Sequence, residues 1–263
     1  NNLLNSPGNF TASKLAWVKK HQPEIFNKIH LAMLPGDFIA GRFTNEFTTT
    51  NSALSEGIFW DFKANDLSSQ LMDYFGFDSS MIPEVHPVFS NHGVIAENIA
   101  QELGFNRQVK VTYKAGDQPN NAFSLGVLHP GDIATTAGTS GVVYGVSDEL
   151  KCDIANRVNS FAHVNYSKEL RRIGVLMCIN GTGILNRWVK ENFFPANSYT
   201  DLNNYANQSE IGSKGLLCFP YGNGAERIFN NKKQKLINFF YWIWMIEIKI
   251  MLVPNNVYFL FAF

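Results

Sequence analysis

This 263-residue sequence is poor in charge and in cysteine. Charged residues make up 17% of it, against roughly a quarter in an average soluble domain. Its 22 Lys+Arg and 22 Asp+Glu cancel to a formal net charge of zero. Phosphate-backbone binding ordinarily leaves a basic excess, and no Lys/Arg run or aromatic–basic interleaving supplies one, so a nucleic-acid partner is not expected. Cys152, Cys178 and Cys218 lie far apart without a Cys-x-x-Cys spacing. That excludes a disulfide scaffold and a zinc ribbon and points to a reduced, cytoplasmic, globular protein. There is no P-loop and no complete Gly-x-Gly-x-x-Gly, since Gly181-Thr182-Gly183 lacks the third glycine. A Gly-x-Ser-x-Gly elbow is also missing. The six histidines show no metal spacing and read as surface or satisfied core residues. Four Asn-x-Ser/Thr triplets, without a secretion signal, are chance matches.

The two ends stand apart. Asn1–Pro7 has no initiator Met, basic region or apolar signal core, so it reads as internal sequence. Residues 232–263 contain no Gly, Ser, Thr, Asp, Arg, His or Cys. Within them, Leu236–Val253 approaches the roughly 20 residues of a bilayer crossing, but Asn238, Glu247 and Lys249 interrupt it. A membrane anchor and a buried amphipathic segment are two readings. The preferred one is out-of-frame translation of AT-rich DNA, and the tail is left out of the functional reading.

Between the ends, helical and strand patterns alternate, which implies an α/β fold. Leu15 and Val18 share a face before Pro23, which can open a second helix carrying Ile25 and Ile29. Asp66 is the expected N-cap of a helix with Leu67, Leu71, Tyr74 and Phe75, closed by Gly76. Ile95, Ile99 and Leu103 recur every four residues before Gly104. Val109, Val111 and Tyr113 alternate as a strand. Further strands are expected at Ile133–Ala137, Val142–Val146, Phe161–Asn165, Ile173–Cys178 and Leu216–Phe219. Helices are expected around Ile184–Val189 and Leu202–Ala206. The seam between domains is expected at Pro130-Gly131-Asp132.

Two segments could carry chemistry. In Ala115-Gly116-Asp117-Gln118-Pro119-Asn120-Asn121-Ala122, the glycine allows a sharp turn and Pro119 suits a helix's first turn. Asp117 then sits at a helix N-terminus beyond a strand end, where ligands of open α/β sheets gather. It serves there either as a helix cap or as a reactive carboxylate. In Ala134–Gly145, Gly138-Thr139-Ser140-Gly141 joins two strands. Its amides and hydroxyls form either a phosphate nest or an ordinary hairpin turn.

Taken in order, these segments resemble the FGGY family of carbohydrate kinases, and within it the xylulose kinases. The likeness runs through Asn9–Lys20, Leu34-Pro35-Gly36-Asp37-Phe38 and Ser55-Glu56-Gly57-Ile58-Phe59-Trp60-Asp61. It continues through the Gly116-Asp117-Gln118 turn and the Ala137–Gly141 loop. Pro220-Tyr221-Gly222-Asn223-Gly224-Ala225-Glu226-Arg227 resembles the family's Pro-Tyr-Leu-x-Gly-Glu-Arg segment in slightly expanded form. About residues 3–231 are covered.

The resemblance implies an actin-like, ribonuclease H-like two-domain ATPase fold, incomplete at both ends, with its active site in the cleft between domains. Residues 1–129 would be the later part of the N-terminal domain, 130–231 the opening of the C-terminal domain, and 232–263 outside the family. Asp117 would be the general base that takes the sugar hydroxyl proton, as that oxygen attacks the γ-phosphorus of MgATP. Asp117 and Gln118 would contact the sugar, and Asp117 would also face Mg2+. Gly138, Thr139 and Ser140 would hold nucleotide phosphate. Gly183 would let the nucleotide lie against the backbone, and Arg187 would edge that pocket. The family's first phosphate loop and its early sugar-contacting segment have no counterpart here.

The activity implied is phosphorylation of D-xylulose to D-xylulose 5-phosphate; ribulose, gluconate and glycerol are other acceptors to weigh. A non-catalytic nucleotide- or sugar-binding remnant and a membrane-anchored partner protein are readings from other classes. The expected partners are sugar and MgATP, without a membrane, and a homodimer is compatible with the sequence.

Overall fold

The computed structural model describes residues 2–3, 8 and 10–215. The strand expected at Leu216–Phe219, Cys218, the Pro220–Arg227 segment and Leu236–Val253 lie outside them. The chain divides into two compact units: Asn1–Ala134 with Tyr144–Met177, and Thr135–Val143 with Cys178–Phe263.

In the first unit, α1 (Thr11–His21) buries Ala12 and Leu15. Pro23 opens the short α2 (Pro23–Phe26), where its missing N–H removes no helical bond. Helix α3 (Pro35–Thr44) also begins on a proline and ends at Asn45 in the left-handed region. Strand β1 (Thr48–Thr50) leads into α4 (Asn51–Glu56), whose first turn is capped by Thr50 Oγ1 accepting the Ala53 N–H at 3.1 Å. Strands β2 (Trp60–Asp61) and β3 (Asp66–Leu67) pair antiparallel.

Asp66 is therefore a strand residue rather than a cap. The helix that follows, α5 (Ser69–Phe75), is capped by Ser68, whose hydroxyl accepts the Leu71 N–H. Gly76 ends it at φ 60°, as expected. Strand β4 (Glu84–His86) pairs with β1 in parallel. Helix α6 (Glu97–Leu103) stops at Gly104 but buries Ala100, leaving Leu103 half exposed; Ile95 precedes it. The Val109–Tyr113 run forms no strand of its own. Val111 and Val109 carbonyls accept from His92 and Ile95 N–H groups, which ties this stretch to residues 92–95. Helix α7 (Asp117–Ser124) follows directly.

Strands β5 (Ile133–Ala137), β6 (Gly141–Ser147), β7 (Asn159–Ala162) and β8 (Ile173–Ile179) form a sheet in the order β5-β6-β8-β7. Strand β7 is buried along its whole length and packs on α4, where the Ala162 N–H donates to Ser55 Oγ at 2.8 Å. Small residues on α4 (Ser52, Ala53, Ser55) permit that close approach. The core of this unit gathers Leu15, Leu54, Phe59, Trp60, Phe62, Met72, Phe77, Tyr166 and Ile173.

In the second unit, α8 (Thr182–Phe193) follows β8. Helix α9 (Tyr199–Asn207) is closed at its start by a reciprocal capping box between Ser198 and Asp201. No helix among the described residues is long and apolar enough to cross a membrane.

Candidate active site

Asp117 is the first residue of α7, with Gly116 as its N-cap. The Asp117 side chain is exposed, and Gln118 Nε2 lies 3.4 Å from its Oδ2. Residues 111–116 have no strand ladder, so other bonds must fix the turn. Lys114 supplies three of them. Its buried Nζ lies 3.0 Å from Asp37 Oδ1 and donates to Thr48 O at 2.5 Å and Thr48 Oγ1 at 2.8 Å. The other Asp37 oxygen accepts the Thr49 hydroxyl at 2.7 Å. An ammonium has three protons and no acceptor, so Lys114 is saturated. Two residues further on, the Gly116 N–H donates to Ser52 Oγ at 3.2 Å. The turn carrying Asp117 is thus held by α3, β1 and α4.

Glu56, the last residue of α4, lies against the N–H and the carboxyl of Asp117. Burial is the main influence on it; the charges of Asp117 and then Asp37 add to this, and its pKa is pushed up to about 7 from 4.5. The Tyr144 phenol, raised mainly by burial, also feels Glu56. An unfolded glutamate releases its proton near 4.5, so between about pH 4.5 and 7 the folded chain binds more protons. Stability therefore falls as pH rises through that window and stays lower above it. A displacement of that size corresponds to roughly 3 kcal/mol at most. Glu56→Gln should accordingly stabilise the chain at pH 8, by up to about 3 kcal/mol, and leave it unchanged at pH 4. Urea denaturation at the two pH values checks this; an equal effect at both would contradict the assignment.

The second unit brings together another set of expected residues. The Gly183 N–H donates to Gly138 O at 2.9 Å and the Ile184 N–H reaches Thr139 O at 3.2 Å. Thr182 Oγ1 lies 3.3 Å from Gly138 O. Gly183 is a packing requirement, since a Cβ there would stand 2.4 Å from Gly138 O. Gly141 is another, with its would-be Cβ 2.6 Å from Thr182 Cγ2. The first amides of α8 are thereby spent on the loop's carbonyls. Any phosphate would have to use the loop's own amides and hydroxyls, where Thr139 is exposed and Ser140 half buried. Arg187, on the same helix, is exposed and paired with Glu191 at 2.9 Å.

Asp37 and Glu56 lie in segments that carry the family likeness, and Thr182 in the Gly181-Thr182-Gly183 run, but the sequence assigns no site role to them or to Lys114. The available signal was a lone charge set among small or apolar neighbours, as in Ser-Ala-Leu-Ser-Glu-Gly-Ile. His92 and His163 are satisfied core residues, as expected. His92 bonds Thr48 Oγ1 and Val88 O, and His163 bonds Tyr144 OH and Val127 O, both at 2.9 Å. No cluster of three metal-ligating side chains occurs among the described residues.

This arrangement has the fold of solved sugar kinases. The chain superposes on a gluconate kinase from Lactobacillus acidophilus with a TM-score of 0.78 at 19% identity, covering 86% of this chain and 45% of that one. On the ligand-bound xylulose kinase from Lactobacillus acidophilus the TM-score is 0.75 at 20% identity, over 84% and 44%. The fold is therefore the actin-like, ribonuclease H-like one of these proteins, over about half of its extent.

Residues 2–124 match the N-terminal domain of the FGGY family of carbohydrate kinases. In sequence the chain is 28% identical to a xylulose kinase from Staphylococcus epidermidis over 212 residues, 81% of this chain and 42% of that protein. The chain is thus similar to FGGY-family carbohydrate kinases, the domain match lying in residues 2–124. It spans about two fifths of the length of the curated relatives it matches.

Proposed function

We propose that the protein carrying this chain transfers the γ-phosphoryl group of MgATP to a sugar hydroxyl, with D-xylulose to D-xylulose 5-phosphate as the leading reaction. The observation that carries this reading is the exposed Asp117 carboxylate, fixed at the start of α7 inside the segment matched to a carbohydrate-kinase domain. In the reaction the sugar oxygen bonds to the γ-phosphorus as the bond to the bridging oxygen breaks. Asp117 takes the hydroxyl proton, and ADP leaves.

Gln118 sits beside Asp117 and contacts the sugar. Gly138, Thr139 and Ser140 receive nucleotide phosphate, Gly183 keeps the backbone flat beside them, and Arg187 edges that region. Mg2+ arrives with the nucleotide as part of the substrate. It is ordinarily held by one or two carboxylates plus phosphate oxygens, so a single exposed carboxylate such as Asp117 suits it and a protein cage is not needed. The family's domain division is placed at 129/130, with 232–263 outside it. A cytoplasmic location and a homodimer complete the reading.

Coupled ADP release with D-xylulose, ribulose, gluconate and glycerol tests the proposal and ranks the acceptors. The gluconate kinase neighbour is the reason to include sugar acids. Turnover highest with D-xylulose is the expected result, and none with any of the four overturns the reading.

A further inference from the structure

Glu56 is an unfavourable residue for the place it holds. Its Oε2 is buried without a hydrogen-bond partner, and a buried polar atom left unpaired is costly. The preceding residues of α4, from Ser52 to Ser55, are all buried and small or apolar, and alanine at 56 would continue that face at no such cost. The neighbouring glycine is matched to the carboxyl. Gly116 has φ −62° and ψ 159°, a conformation any residue adopts, so backbone freedom does not explain it. Space does: a Cβ at Gly116 would stand 2.1 Å from Glu56 Oε2 and 3.3 Å from Glu56 Cδ.

Ser52 and Glu56 are one turn apart and share a face of α4. Ser52 Oγ accepts the Gly116 N–H, and the Glu56 carboxyl lies against the next amide, that of Asp117, and against the Asp117 carboxyl. One turn of α4 therefore faces two successive amides at the start of α7, with Ser52 bonded to the first and the Glu56 carboxyl beside the second. These amides are donors that no intrahelical carbonyl can satisfy.

We propose that Glu56 is a positioning residue for Asp117: seated in the space left by Gly116, it fixes the start of α7 and thereby the direction of the Asp117 carboxylate toward the accepting hydroxyl. The inference rests on the kinase reading only for what Asp117 then does, not for where Glu56 sits.

The test has two arms on the full chain. In amide NMR, Glu56→Ala should move the Asp117 N–H resonance upfield, while Glu56→Gln, which keeps an acceptor oxygen, should leave it near the wild-type position. Gly116→Ala, which expels the carboxyl, should shift it as Glu56→Ala does, and the double variant should add nothing further. An unmoved resonance in Glu56→Ala, or additive shifts in the double variant, overturns the placement.

In phosphoryl transfer, Glu56→Ala should lower kcat by about 10- to 100-fold with KM for MgATP unchanged, and Glu56→Gln should restore most of it. Equal losses in the two variants, or a loss confined to KM, overturn the role. A wild-type protein without turnover would sink the kinase reading alone, because the amide measurement needs no catalysis.

Discussion

Replacing Lys114 by methionine is expected to cost the first unit about 3–5 kcal/mol, a large share of the roughly 5–15 kcal/mol that holds a typical domain folded. The side chains of Lys114 and Asp37 are only 7% and 3% exposed. Methionine fills the aliphatic volume but leaves the Asp37 carboxylate with one hydroxyl donor and no counter-charge. Two backbone elements lose their tie as well, because the ammonium also holds the Thr48 carbonyl and hydroxyl. Pairing the change with Asp37→Asn removes the stranded charge and should recover a substantial part of the loss, so the two substitutions will be strongly non-additive. Guanidinium denaturation of the two single variants and the double variant measures this. A Lys114→Met loss below about 1 kcal/mol, the range of exposed pairs, would show that the pair does not act as a buried one.

Asp117→Asn is expected to do the opposite: little to stability and nearly everything to turnover. The side chain is exposed, and its recorded partners are Gln118 at 3.4 Å and the Glu56 carboxyl. Asparagine keeps the size and the position at the head of α7 but cannot take a proton. Positioned proton transfer contributes about 10²–10⁴ in rate, and kcat should fall by that amount while the melting temperature holds. A variant that kept kcat within a few-fold of wild type would remove Asp117 from the reaction.

The two substitutions also mark what was legible in the sequence. The Gly-Asp-Gln turn could be read because Gly and Pro punctuate the chain locally, and α7 begins where Pro119 and Gly116 require. Strands β5, β6 and β8 were legible for the same kind of reason, as apolar alternation between turn residues. The support of the turn was not. Lys114 meets Thr48, 66 positions earlier, and Ser52 bonds Gly116, 64 positions later. Contacts at such separations leave no periodicity, and a single Lys or Glu in a mixed segment looks like any solvated charge.

Around Asp66 the sequence is locally ambiguous. Asp66 and Ser68 are both good caps, and only the pairing of β3 with β2 decides that the helix begins after Ser68. Tyr113 fell short of a strand because its stretch leans on the irregular segment at residues 92–95 rather than on a ladder.

The proposed reaction is a single phosphoryl transfer. The direct measurement is to incubate the protein carrying this chain with γ-labelled MgATP and D-xylulose, and to follow label into the sugar for wild type and Asp117→Asn side by side. Label appearing on the 5-hydroxyl with wild type and lost with Asp117→Asn is the expected result. Label transferred equally well by both proteins, or by neither, would contradict the assignment of Asp117 as the base of a sugar kinase.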